Sequence, residues 1–119
     1  RCCLPAEALT RLLDEAGEND EGGILAIPVA DTLKRSDGSH HIDETVARAG
    51  LWQAQTPQLF QTALLHRALS VDDLSEITDE ASAIEKLGIR PRLVQGDTRN
   101  LKLTLPQDEY IVRLLLKAV

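Results

Sequence analysis

The sequence predicts an α/β fold, an open sheet flanked by helices and interrupted by one insertion. Three observations lead to it. Apolar stripes at helical spacing alternate along the chain with short apolar runs of strand length. A loosely patterned polar stretch, 31–55, breaks that alternation. "NLKLTLPQDEY", 100–110, passes from period-two alternation directly into a helix start.

Pro5 to Ala16 places Ala8, Leu9, Leu12, Leu13 and Ala16 on one stripe, with Pro5 suited to the first turn and Gly17 after the end, so this segment reads as an amphipathic helix. "GGILAIPV" follows as a short continuous apolar run behind a glycine pair, the pattern of a buried strand. The polar stretch then holds "DTLKR", "HIDETVAR" and "LWQAQ", separated by the turn signals "SDGS" and "AG", and reads as a hairpin-like excursion with little core of its own. "QTPQLFQTALLHRALS" returns to helical spacing, with Thr56-Pro57 as its start. "ITDEASAIEKLG" is a further helix, with Thr78 as N-cap, Asp79 and Glu80 in the electropositive first turn and Gly88 as the stop. "IRPRLVQG" is a strand, Leu101 to Leu105 another with its leucines on one face, and Pro106 to Ala118 the last helix, with Thr104 and Gln107 fitting a capping box.

Composition narrows the function classes. At 119 residues with 43% hydrophobic content the chain suits one domain, and 27% charged residues argue against disorder and against membrane insertion. No apolar run approaches the length of a membrane-crossing helix and no basic-then-apolar leader is present, so a cytoplasmic location is expected. The net charge of -6 and the 3% aromatic content speak against nucleic acid or an anionic membrane as the main partner. Cys2 and Cys3 are adjacent, too close for an ordinary disulfide, and read as reduced thiols. The chain has no methionine and opens on Arg1, which reads as a fragment.

Several residues bear chemistry. Lys102 and Thr104 stand near the carboxyl end of a strand and ahead of a helix, where open α/β sheets bind ligands, and a lysine there suits a phosphate or charge developing on one. Arg48 precedes a turn and Thr56 a helix start, so together they can offer a guanidinium fork and a hydroxyl to one oxyanion. Spacing alone also allows a plain account: Lys102 as a solvated strand residue, Arg48 as surface charge, Thr56 as an N-cap and Trp52 as packing. Thr32 and its neighbours Lys34 and Arg35 are equally open to the role of keeping an edge strand soluble. Asp79 and Glu80 are explained by the helix dipole without a metal, and His40-His41 by a turn. No nucleophile–base pair and no glycine-rich phosphate loop occurs, so spacing names no enzyme class.

Taken in order, "GGILAIPVADTLKR", "GLWQAQTPQLF", "ITDEASAIEKLG" and "NLKLTLPQD" resemble the carboxyl-terminal half of the 2-C-methyl-D-erythritol 4-phosphate cytidylyltransferases of non-mevalonate isoprenoid synthesis, over essentially all 119 residues. The second and third stretches carry the pattern "LWxAxTPQxF" and "TDExxAxE". The resemblance implies a three-layer α/β/α fold of the nucleotide-diphospho-sugar transferase type, with residues 31–55 as a β-arm that clasps a second subunit. It implies transfer of a cytidylyl group from CTP to methylerythritol phosphate, with release of pyrophosphate and a magnesium ion on the triphosphate. On the family pattern, Lys102 stabilises charge at the α-phosphate, and Thr32, Arg48 and Thr56 hold the methylerythritol phosphate, those of the arm reaching the partner's site. Arg1 matches the last residue of the family's "DAAR" stretch.

The same resemblance sets a limit. The family's "GxGxRM" loop, its "PKQ" lysine, its cytosine-reading segment and the metal-binding aspartate of "DAAR" all belong upstream of Arg1, so the CTP-binding amino-terminal half is absent from this sequence and the piece alone is expected to be inactive. Two other readings accompany it. One is a cytidylyltransferase for another polyol phosphate such as ribitol 5-phosphate, because "TDExxAxE" is shared with those enzymes. The other is a non-catalytic dimerisation fragment.

Overall fold

The computed structural model describes residues 1–70 and 77–117. Its centre is strand β1 (Gly23–Pro28), flanked by β4 (Trp52–Leu59), which pairs antiparallel, and by β5 (Arg92–Gln95), which pairs parallel, giving the order β4-β1-β5. Successive side chains of a strand point to opposite faces, and here both faces are covered. Leu25 packs with Val94 against Ala8, Leu12 and Ala16 of helix α1 (Ala6–Ala16). Ile24 and Ala26 pack on the other face with Ala81 and Phe60. Burial on both sides is why β1 reads as an unbroken apolar run. The four-residue spacing of Ala8, Leu12 and Ala16 is the stripe that α1 lays on the sheet.

Phe60 continues into a second cluster, where α2 (Thr62–Leu69) and α3 (Glu80–Glu85) meet through Ala68, Ala83 and Ile84. Helix α1 thus forms one outer layer, and α3 with α2 the other. The last helix, α4 (Asp108–Lys117), buries Val112, and its Leu115 and Leu116 border a cavity shared with residues 2–7. The sequence carries this helix to Ala118, which lies outside the described residues. Strands β2 (Leu33–Ser36) and β3 (Ile42–Val46) form a separate two-stranded antiparallel sheet. Its turn is the expected "SDGS": the Asp37 carboxylate accepts from the backbone N–H of Ser39 and His41, and Gly38 takes φ 89°.

Five sequence expectations are corrected. Thr56-Pro57 does not open a helix: both residues lie in β4, joined by a cis peptide, and the helix begins at Thr62. Ala54 pairs with Ala26 and Gln58 with Ile24, so Gln55, Thr56 and Pro57 together face Leu25 alone. Proline, lacking an N–H, fits such a bulge rather than a regular ladder. Trp52 to Gln55 belong to this main-sheet strand, so the excursion is a narrower hairpin than 31–55. Leu101 to Leu105 form no strand: with no neighbouring strand to pair with among the described residues, the alternating leucines stay open, Leu103 at 53% and Leu105 at 52% exposure. The caps also shift. Asp79, not Thr78, caps α3 and forms a capping box with Ser82. At α4 the Asp108 carboxylate accepts from the N–H groups of Thr104 and Leu105 in place of a Thr104–Gln107 box.

Candidate active site

Parallel strands β1 and β5 end side by side, and their carboxyl ends open into a groove of about 620 Å³ lined by Val29, Ala30, Asp31, Gln53, Gly96 and Asp97, among others. Crevices beyond the carboxyl ends of such strands are where open α/β sheets bind ligands. Gly96 brings the loop after β5 tight against β1, its N–H donating to the Ala26 carbonyl at 2.8 Å.

A buried amide cluster fixes that loop. The bulge in β4 turns Gln55 inward to 5% exposure, while Asn100 is fully buried. Asn100 Nδ2 donates to the Thr56 carbonyl at 2.7 Å and to Gln55 Oε1 at 3.3 Å. Gln55 Nε2 donates to the carbonyls of Asp97 (3.0 Å) and Asn100 (3.5 Å). The Arg1 guanidinium donates to the Asn100 carbonyl and, at 3.5 Å, to that of Ala54. One network therefore joins Arg1, the bulged strand beside Thr56 and the loop that leads to Lys102.

The sequence-derived candidates fall into two groups. Arg1 and the Thr56 backbone carbonyl both bond to Asn100, which precedes Lys102 by two residues along the chain. Arg48 and Thr32 stand at the base of the hairpin, where the Arg48 guanidinium donates to the Ala30 carbonyl, two residues ahead of Thr32. Arg48, Thr56 and Lys102 are exposed. The Lys102 ammonium has no hydrogen-bond or ion-pair partner among the described residues. Gln55, Asn100 and Asp97 carry no sequence signal of their own; only the "NxK" spacing within "NLKLTL" points near them.

Charge is organised around the same loop. Arg99 holds Asp97 in a fork, Nε to Oδ1 at 2.9 Å and Nη2 to Oδ2 at 2.8 Å, and these bonds keep the Asp97 carboxyl down at about 2. The N–H groups of Leu105 and Thr104 likewise lower the Asp108 carboxyl. Partial burial lowers the Arg1 guanidinium from its ordinary value. Among the described residues, no group of three or more His, Cys, Asp or Glu side chains is placed to hold a metal ion. Cys2 and Cys3 are free thiols, their Sγ atoms 3.8 Å apart. Among the described residues no helix is long and apolar enough to cross a membrane.

Comparison with known proteins agrees with this arrangement. The family model for 2-C-methyl-D-erythritol 4-phosphate cytidylyltransferase, IspD, matches residues 1–118. A protein of that name from Neisseria gonorrhoeae (strain NCCP11945) is 72% identical over 119 residues, covering 100% of this chain and 52% of its own length. The crystal structure of a 4-diphosphocytidyl-2C-methyl-D-erythritol synthase superposes with a TM-score of 0.92 at 72% identity, over 98% of this chain and 53% of that one. That of the Thermus thermophilus cytidylyltransferase gives 0.85 at 30% identity, over 96% and 56%. The chain spans about half the length of the curated relatives it matches. A match over nearly every residue, with the sheet, groove and loop in place, leads to one conclusion: the chain belongs to the 2-C-methyl-D-erythritol 4-phosphate cytidylyltransferase family.

Proposed function

We propose that this chain supplies the acceptor side of a cytidylyl transfer from CTP to 2-C-methyl-D-erythritol 4-phosphate, giving the cytidine-diphospho-alcohol and pyrophosphate, as the carboxyl-terminal part of the enzyme. The observation that carries the reading is the 2.7 Å bond from Asn100 to the Thr56 carbonyl, which ties the Lys102 loop to the strand of Thr56 beside the groove. In the reaction an acceptor phosphate oxygen attacks the α-phosphorus of CTP and pyrophosphate leaves. Lys102, an exposed cation with no hydrogen-bond or ion-pair partner among the described residues, neutralises charge on the α-phosphoryl oxygens as the new bond forms. The hydroxyls of Thr56 and Thr32 and the fork of Arg48 bind the acceptor phosphate. Arg1 supports the Lys102 loop from behind through the Asn100 carbonyl. Magnesium belongs to the reading as an ion carried on the triphosphate, but the described residues offer no acidic cluster that fits it, so no step here runs through it.

The hairpin fits a role as a dimer arm. A lone two-stranded hairpin is marginal in water. This one is held by exposed cross-strand contacts, Arg35 to Glu44 at 2.9 Å and Lys34 to Thr45 at 2.7 Å, and leaves Ile42 65% exposed. Resting on a second copy would cover it and carry Thr32 and Arg48 toward that copy's groove. A cytoplasmic location goes with this reading, consistent with the free thiols.

The test is pyrophosphate release by the full-length protein with CTP and either methylerythritol phosphate or ribitol 5-phosphate. Lys102→Ala is expected to lower kcat roughly a hundredfold or more, since a lost charge contact in the transition state costs about 3 kcal/mol. The same variant should unfold within about 0.5 kcal/mol of the parent, because the side chain is exposed and its ammonium has no hydrogen-bond or ion-pair partner among the described residues. Undiminished turnover would refute the role of Lys102, and a clear preference for ribitol 5-phosphate would refute the acceptor.

A further inference from the structure

We infer that Asn100, backed by Gln55, is the positioning residue that sets Lys102 relative to the acceptor-phosphate site. The inference rests on the cytidylyl-transfer reading and goes beyond it, because Asn100 itself reaches no substrate. Lys102 lies in a stretch without regular structure that is pinned at two points. On one side, two residues away, Asn100 is fully buried and bonded through its side chain, its N–H (to the Asp97 carbonyl at 3.0 Å) and its carbonyl. On the other, Thr104 and Leu105 are held by the Asp108 carboxylate at 3.0 and 2.7 Å. In the Asp108 clamp the carboxylate is half-buried and its partners Thr104 and Leu105 are exposed, whereas the Asn100 clamp is fully buried.

What Asn100 grips is also specific. Its amide donates to the carbonyl of Thr56, so the residue proposed to bind the acceptor phosphate and the loop carrying the charge-neutralising lysine meet at one side chain. The amide cannot be turned over, because its oxygen would then face two acceptors, the Thr56 carbonyl and Gln55 Oε1. In the orientation it must keep, Asn100 Oδ1 is buried with no donor among the described residues. Gln55 complements the grip by holding the Asp97 and Asn100 carbonyls on either side of Arg99.

The experiment is a double-mutant cycle in the full-length protein, using Asn100→Ser, Lys102→Ala and both together, with pyrophosphate release and the thermal midpoint recorded for each. If Asn100 acts through Lys102, Asn100→Ser lowers kcat roughly tenfold or more alone and by less than about twofold once Lys102 is alanine. It also raises KM for the alcohol phosphate, because the Thr56 side of the grip is lost. The same fractional loss in both backgrounds would overturn the inference, since a general loosening multiplies through whatever residue 102 is. Should Asn100→Ser not fold, Gln55→Ala carries the same cycle and the same two outcomes. Full activity in Lys102→Ala alone would bring down the underlying reading and this inference with it, and that result is separable because it needs no change at Asn100.

Discussion

Gly96→Ala tests the rigidity of the buried amide cluster directly. A Cβ on Gly96 would stand 2.4 Å from Gln55 Oε1, about 1 Å inside an ordinary carbon–oxygen contact. The new methyl has no room to retreat, because Ala26 N and O lie at 3.4 Å and the Gly96 N–H is bonded to Ala26 at 2.8 Å. Gln55 must therefore move. At 5% exposure it has no solvent to swing into, and moving it breaks its bond to the Asp97 carbonyl and its acceptance from Asn100. Two hydrogen bonds at about 1 kcal/mol each, with the penalty for stranded buried partners, give an expected loss of about 2–3 kcal/mol. Urea unfolding of the full-length protein measures it. Gln55→Ala removes the obstacle, so adding Gly96→Ala to that variant should cost less than about 0.5 kcal/mol more. Strictly additive losses would show that the clash is not the cause, and no loss in the single variant would show that Gln55 is free to leave.

The cap and the charge pair give two more outcomes. Asp79→Ala should lower stability by about 1–2 kcal/mol, because the carboxylate accepts from Ser82 N–H at 2.8 Å and from Gln58 Nε2 at 2.9 Å, while Thr78→Ala should stay within about 0.5 kcal/mol; urea midpoints of the two variants check this, and equal effects would contradict it. Asp97 has a folded pKa of about 2, below its ordinary 3.8, so its contribution is fully present above about pH 4 and is lost as pH falls through about 2. With Arg99 57% exposed, solvent screening holds this contribution below about 1 kcal/mol. The stability gap between the parent and Asp97→Asn should accordingly narrow from about pH 5 to about pH 2.5, and a constant gap would show that the Arg99 fork does not act through the Asp97 charge.

What the sequence makes legible is local or periodic. The α1 stripe, the apolar β1 run and the "SDGS" turn each need only neighbours along the chain to declare themselves, and each stands where expected. Thr56-Pro57 misleads because a threonine–proline pair opens helices as readily as it sits in a bulge. Only the pairing of β4 with β1, made by residues some thirty positions apart, decides between them. Leu101 to Leu105 mislead for the converse reason: alternation is necessary for a strand but needs a partner, and the partner is not written in the segment.

The site shows the same division. Lys102 and Arg48 announce themselves through charge and family pattern, yet neither makes the contacts that hold the loop after β5. Those belong to neutral amides, Gln55 and Asn100, which are 45 positions apart and have no periodicity or charge to betray them. A buried amide is costly unless its geometry is satisfied, so nothing along the chain leads one to expect two of them together. The reason appears only when the bulge turns Gln55 inward and the loop after β5 brings Asn100 to meet it. An exposed lysine on an irregular loop has no fixed position of its own, and transition-state stabilisation depends on a fixed one. On the role proposed for Lys102, the rigidity it lacks would come from Gln55 and Asn100, the residues that the sequence conceals.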